Sequence, residues 1–352
     1  MRRRTPKMAK PVSSSTLGCE PDTYFYSLAR IGNNSLATIG SDDSLRIFDP
    51  STLRSIASAQ PRGSGLSCLQ PFDDRSTLAT AGRDGTIRLW DSRAKQVSQL
   101  SEPQGRSFSA LACHANILAA GTESNKEGLG DVSVLLYDAR NPSVPLRDYA
   151  ESHTDSITQL AFHPSAPHVV LSGSTDGLVS IFNGNEADEE EALQTVFNPR
   201  SAVHCAGFLS QQEVYVFTTD EQFLIYPLPT STTEGGSDEQ SSVADQQQQP
   251  RDFGDVREKL NCMYVINLLR QPADNQPLIA YGHNEQQRLS VMQLSSSSSS
   301  TGRGGQQEGS WDFGPSVDFP GAHGEEVVRD MLVGDGRAWS CGEDGCVRVW
   351  KW

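Results

Sequence analysis

The chain is short of basic residues, of long apolar runs and of the common catalytic signatures. Its 352 residues hold 29 Lys and Arg against 44 Asp and Glu, a formal net charge of −15. Nucleic-acid affinity comes largely from Lys and Arg neutralising phosphates, so this balance argues against a direct nucleic-acid partner. It suits a basic protein instead. Hydrophobic residues make up only 36%, and no run of about 18 apolar residues is present, so no membrane partner is expected. MRRRTPKMAK at the start lacks the apolar stretch of a secretory signal. It leaves three readings, a mitochondrial presequence, a nuclear import patch or a disordered basic tail over residues 1–10, and the tail is the expectation. Seven cysteines contain no CxxC pair and are odd in number, which points to reduced thiols in the nucleus and/or cytoplasm. The phosphate loop GxxxxGKS/T, the dinucleotide GxGxxG, the zinc HExxH and the serine elbow GxSxG are all absent. His163 and His168 in HPSAPH do not have a metal-ligand spacing. No cofactor and no enzymatic activity are expected.

What the chain does have is a repeat. An Asp lies six residues before an aromatic in Asp42–Phe48, Asp84–Trp90, Asp131–Tyr137, Asp176–Phe182, Asp220–Tyr226 and Asp344–Trp350. The first five aspartates are 42, 47, 45 and 44 residues apart. Each follows a strand of small residues, such as SLATIG, TLATAG or VVLSG. The last interval, 124 residues, has room for one more unit, readable at 277–294 with its Asp and aromatic eroded. A period of about 40–45 residues with four strand-like pieces is that of a β-propeller blade. Seven units predict an all-β, seven-bladed propeller over residues 11–352 as a single domain.

These features resemble the WD40-repeat family. In such repeats a His before the innermost strand, a Ser or Thr on the second, the turn Asp and a third-strand Trp bond in series. The last unit carries the full set, His323, Ser340, Asp344 and Trp350. The fourth has His153, Ser172 and Asp176 with Phe182 in the Trp position, and the second has Thr80, Asp84 and Trp90 without the His. The Asp–His–Ser groupings look like hydrolytic triads, but they recur with the repeat, so they are read as structural. The fourth unit, ESHTDSITQLAFHPSAPHVVLSGSTDGLVSIFN, together with LLYDARNP and DVREKLN, is similar to the WD repeat-containing protein 89 subfamily. That resemblance implies a propeller of the nucleus or cytosol with no assigned catalytic activity.

Low-complexity inserts at about 185–191, 230–250 and 295–310 follow the third strands of units four, five and six. They are polar and cannot bury a core. The opposite rim, where loops enter each blade, offers Tyr24, Asp43, Arg83, Arg106, Asp155, Thr175, Arg200, Glu325 and Glu343 as candidate protein-binding residues. The expected function is a non-catalytic scaffold or adaptor for a protein partner, acting as a monomer within larger complexes. An alternative comes from Trp90, Asp91 and Arg93 in LWDSR, which resemble the WDxR box of cullin-4 ubiquitin ligase receptors. LYDAR, Leu136–Arg140, is a degenerate second copy. Finally, the chain ends on a strand, CVRVWKW, with nothing after it to pair. Val12–Leu17 is expected to pair antiparallel with Val347–Lys351 and complete the last blade.

Overall fold

The computed structural model describes residues 6–32, 34–72, 76–126, 130–229, 249–297, 310–334 and 336–352. These residues form seven mostly antiparallel sheets, six of four strands and one of five, arranged as a seven-bladed β-propeller. They divide into two compact units, Met1–Thr80 with Arg88–Gln99 and Arg257–Trp352, and Ala81–Ile87 with Leu100–Val256.

In the first unit, blade 1 runs Phe25–Ile31, Ser35–Gly40, Leu45–Phe48 and Ser55–Ala59. Blade 2 has strands Leu66–Phe72, Thr77–Gly82, Thr86–Asp91 and Gln96–Ser101, with its central turn assigned to the second unit. Blade 6 has Tyr264–Arg270, Pro277–His283, Arg288–Ser297 and Ser310–Pro320. Blade 7 has Val328–Gly334, Arg337–Gly342, Val347–Lys351 and, from the other end of the chain, Lys10–Ser15. In the second unit, blade 3 is Phe108–His114, Ile117–Thr122, Val134–Asp138 and Arg147–Tyr149. Blade 4 is Ile157–Phe162, Val169–Ser174, Val179–Asn183 and Leu193–Phe197. Blade 5 is Val203–Phe208, Glu213–Thr218, Gln222–Pro227 and Arg251–Asp255.

Burial explains the composition of each strand. Second strands such as SLATIG and TLATAG are buried on both faces after their first residue, which demands small or branched apolar side chains. Outer strands such as SIASA are mostly exposed and accordingly polar or small. Apolar clusters sit between neighbouring blades. One joins blades 1 and 2 around Ile47, Leu69 and Trp90, and another joins blades 3 and 4 around Leu136, Ile157 and Phe182. Within each unit, neighbouring blades therefore bury their faces on one another rather than on a separate layer.

The last strand is paired, though two residues away from the expected place. Lys10 pairs with Lys351 and Ser15 with Val347, antiparallel, with an irregularity between Pro11 and Ser13. Val12 is exposed, while Leu17 lies beyond the strand, in a left-handed turn with Gly18, and buries among Phe25, Trp339 and Val349. The apolar residues that suggested a strand at 12–17 thus mark one outward-facing position and one anchor past its end. The basic tail is also shorter than the expected 1–10. Lys7 and Met8 pair in parallel with Val317 and Asp318 of blade 6, and Lys10 already lies in the clasp.

Parts of the inserts fall within regular elements. Asp188 caps a one-turn helix, Glu189–Ala192, so the acidic stretch at 185–191 is an ordered element. Ser295–Ser297 belong to a strand of blade 6. Positions 230–248 and 298–309 of the other two inserts lie outside the described residues.

Candidate protein-interaction surface

The repeat aspartates first have a local task. Asp42, Asp84, Asp176 and Asp344 each accept the backbone N–H two residues on, from Ser44, Thr86, Leu178 and Cys346. This turn pulls the following residue into the left-handed region, as at Gly345 with φ +66°. Only glycine suits that position, because a Cβ there would stand 2.5 Å from the Thr23 carbonyl oxygen.

On this turn blade 7 builds a buried chain. His323 Nδ1 lies 2.7 Å from Asp344 Oδ1, and its Nε2 lies 2.8 Å from Ser340 Oγ. The Trp350 indole donates to the same Oγ at 3.0 Å. Burial lowers the His323 pKa and keeps the ring neutral, so the cation facing Asp344 is Arg348. Burial alone would raise Asp344, but the bonds from His323 and Arg348 hold it at about 2. Blade 4 repeats the chain with His153 at 3.0 Å from Asp176 and 2.7 Å from Ser172. Phe182, in the Trp position, stacks on Tyr149 instead. In blade 2, Trp90 donates to Thr80 at 2.8 Å, while Asp84 caps its own turn. The geometry is that of a nucleophile, a base and an orienting acid, yet Ser172 and Ser340 are fully buried and no substrate reaches them. The chain of bonds satisfies buried polar groups.

Blade 6 shows what its eroded sequence conceals. Its network moves outward by one strand, with Ser290 donating to Asp318 of the outer strand at 2.7 Å. No Asp-to-aromatic spacing marks that rearrangement.

A second aspartate series lies seven residues after the first. Asp49, Asp91 and Asp138 accept from Ser51, Arg93 and Arg140 N–H, closing the turn into the outer strand. In the WDxR-like box, Asp91 Oδ2 also takes Arg93 NH2 at 2.6 Å and Nε at 3.0 Å. The guanidinium, with the N–H bonds to Asp91, holds that carboxyl at about 2. Asp138 and Arg140 repeat the arrangement. Arg93 is 81% exposed, but its fork is committed to its neighbour.

The rim residues divide in the same way. In the first unit Asp43 holds Gly63 and Leu66 N–H groups, and Glu343 pairs with Arg329, whereas Tyr24 and Glu325 are exposed. In the second unit Arg83 pairs with Glu123 at 2.9 Å, Arg106 is bound by Glu102, and Thr175 donates to the Ser156 carbonyl. Asp155 accepts the Ser156 N–H, and Arg200 is exposed at φ +66°. The rim is thus mostly engaged in its own loops.

Charge separates the two units. Residues 81–87 and 100–256 hold 24 Asp and Glu against 7 Lys and Arg, a net −17. The remaining residues hold 20 against 22, a net +2. The acidic residues of the second unit include Asp188, Glu190 and Glu191, all exposed. Glu189 of the same helix turns back and accepts N–H groups of Ala150, Glu151 and Ser152 at 2.7–3.0 Å.

The WD domain, G-beta repeat family matches residues 54–91 and 144–183. Each stretch covers an outer strand and the first three strands of the next blade. The chain carries WD40 repeats in these stretches and has the fold of a seven-bladed β-propeller. It is 35% identical over 249 residues, 69% of its length, to an uncharacterised WD repeat-containing protein of Saccharomyces cerevisiae. It is 28% identical over 159 residues, 44% of its length, to a WD repeat-containing protein 89 homolog of Dictyostelium discoideum. These matches span 56% and 40% of the relatives' own lengths. Among solved structures, one chain in a crystal structure of the mitotic checkpoint complex matches with a TM-score of 0.68 at 15% identity. The match covers 100% of this chain and 94% of that one, a likeness of fold alone. WD40 propellers are generally non-catalytic scaffolds that bind other proteins. No helix among the described residues is long and apolar enough to cross a membrane.

Proposed function

We propose that this WD40 propeller is a non-catalytic adaptor of the nucleus or cytoplasm, acting as a monomer that docks a basic protein on its acidic unit. The observation that carries the reading is the charge partition, −17 on one unit against +2 on the other. A field of one sign concentrated on one unit steers an oppositely charged partner and repels phosphate backbones. The buried Ser–His–Asp chains support a role without catalysis, since their serines have no exposed surface.

The test is affinity purification of the full chain with mass spectrometry, washed at about 100 mM and about 500 mM salt. Screening shortens from roughly 10 Å to a few ångströms over that range. High-pI proteins retained at low salt and lost at high salt are the expected result. Recovery of acidic partners only, or of none at low salt, overturns the reading. A second reading, substrate receptor of a cullin-4 ligase, draws on the exposure of Arg93. The same purification decides it, because the ligase's propeller adaptor would be recovered and then lost in Arg93→Ala.

A further inference from the structure

Blade 3 is entered by an arginine in place of the network histidine. Glu102, its side chain 1% exposed, takes Arg106 Nε at 3.1 Å and NH2 at 2.8 Å. It also accepts the Gln104 and Arg106 N–H groups at 2.7 and 2.8 Å, while Arg106 NH1 donates to Ser133 Oγ at 2.5 Å. The guanidinium charge is therefore already matched by a buried carboxylate. Against this pair opens a cavity of about 410 Å³, lined by Gln104, Arg106, Asn125, Asp131, Asp148 and Ala150 among others.

Two carboxylates on its wall remain in surplus. Asp131 is held below the usual carboxylate range by the Ser124 hydroxyl, with Asn125 adding to it, and so stays ionised. Asp148 stands 3.6 Å from Arg106 NH2 and is 40% exposed. Arg106 is the one cation among the described lining residues. The side of the wall at Asp148–Ala150 is also firmly placed. Tyr149 stacks on Phe182 at 4.9 Å and donates to the Glu186 carbonyl at 2.7 Å, and Ala150 N–H is held by Glu189. A concave, anionic site of this kind favours a cation on an aliphatic stem, with the Ala150 methyl beside the stem. No aromatic residue is among the described residues that line it, so these offer no cage of the kind a methylated ammonium prefers.

We propose that this cavity receives a lysine or arginine side chain of the protein partner, paired with Asp131 and Asp148. The proposal rests on the reading of the acidic unit as the docking side. Its test uses the full chain and a fluorescein-labelled peptide, Gly-Arg-Gly-Lys-Gly-Arg-Gly-Lys-Gly, followed by anisotropy at about 50 mM salt. Asp131→Asn with Asp148→Asn should weaken binding by about tenfold or more, and Asp148→Asn alone by several-fold. The single variant guards against loss of the loop that Asp131 holds. Glu190→Gln with Glu191→Gln removes the same charge from the same unit and should change affinity by less than about threefold. If the two double variants weaken binding equally, a diffuse field binds the peptide and the cavity assignment is overturned while the acidic-side reading stands. If the wild-type chain does not bind the peptide at all, that reading fails and the cavity assignment with it.

Discussion

Asp330 carries a cost that its neighbours only partly offset. It sits on the first strand of blade 7, where its Oδ2 accepts Leu28 N–H at 2.7 Å and the Ser27 hydroxyl at 3.1 Å from blade 1. Its Oδ1 accepts Met331 N–H at 2.7 Å. Burial pushes its pKa up to about 6 against the opposition of these three bonds. Cys341 nearby stays a neutral thiol because it is buried too. A carboxyl whose folded pKa lies above its unfolded value stabilises the fold most when protonated. That contribution is complete below the unfolded value near 3.8 and is lost as pH rises through about 6. The shift corresponds to about 3 kcal/mol. Urea unfolding of the wild type and Asp330→Asn should therefore show a stability gap that moves by about 2–3 kcal/mol in favour of the variant between pH 4 and pH 7.5. A gap that stays constant across that window would show that Asp330 does not titrate in the fold. Nothing in VRDMLVG announced this role. Two of its three donors, Leu28 and Ser27, lie 302 and 303 positions away in the sequence.

At the scale of elements, the inner strands were legible and the outer ones were not, for one physical reason. Second and third strands are buried on both sides and end in Asp turns, so packing and turn geometry both constrain their residues. Outer strands such as QVSQLS are mostly exposed, and only their ladder bonds are demanding, which any polar residue satisfies. The clasp strand KPVSSS belongs to that class, with Pro11 tolerated at its edge position. Its hold on the fold comes from buried residues just outside it. Ala9 packs with Phe319 and Trp350, and Leu17 packs with Phe25 and Trp339. Removing residues 1–19 forfeits Leu17 burial, worth about 2 kcal/mol, and exposes the ladder of Val347–Lys351. Scanning calorimetry of the truncated chain should show a Tm lower by about 5–10 °C. An unchanged Tm would mean that blade 7 is complete without its N-terminal strand.

The whole molecule is unevenly charged, and that was legible only in part. A net charge of −15 is plain from composition, but its concentration on blades 3–5 emerges once the chain is divided by contact. The described residues of the second unit carry 19 Asp and Glu against 7 Lys and Arg, a net −12, and like charges on one compact unit repel one another. Added salt acts on stability in two opposing ways. It relieves this repulsion, and it weakens exposed ion pairs such as Arg83 with Glu123 and Arg93 with Asp91. Exposed pairs contribute roughly 0–1 kcal/mol each, so relief should win. The Tm of the full chain is expected to rise by a few degrees between about 20 and 300 mM sodium chloride, where the screening length falls well below the size of a domain. Glu190→Gln with Glu191→Gln leaves the backbone bonds of that helix in place, because Asp188 caps it and Glu189 makes the contacts. That variant should start from a higher Tm at low salt and gain less on salt addition. A Tm that falls with salt, or a variant with the wild-type slope, would locate the stability balance in the ion pairs rather than in the acidic unit's self-repulsion.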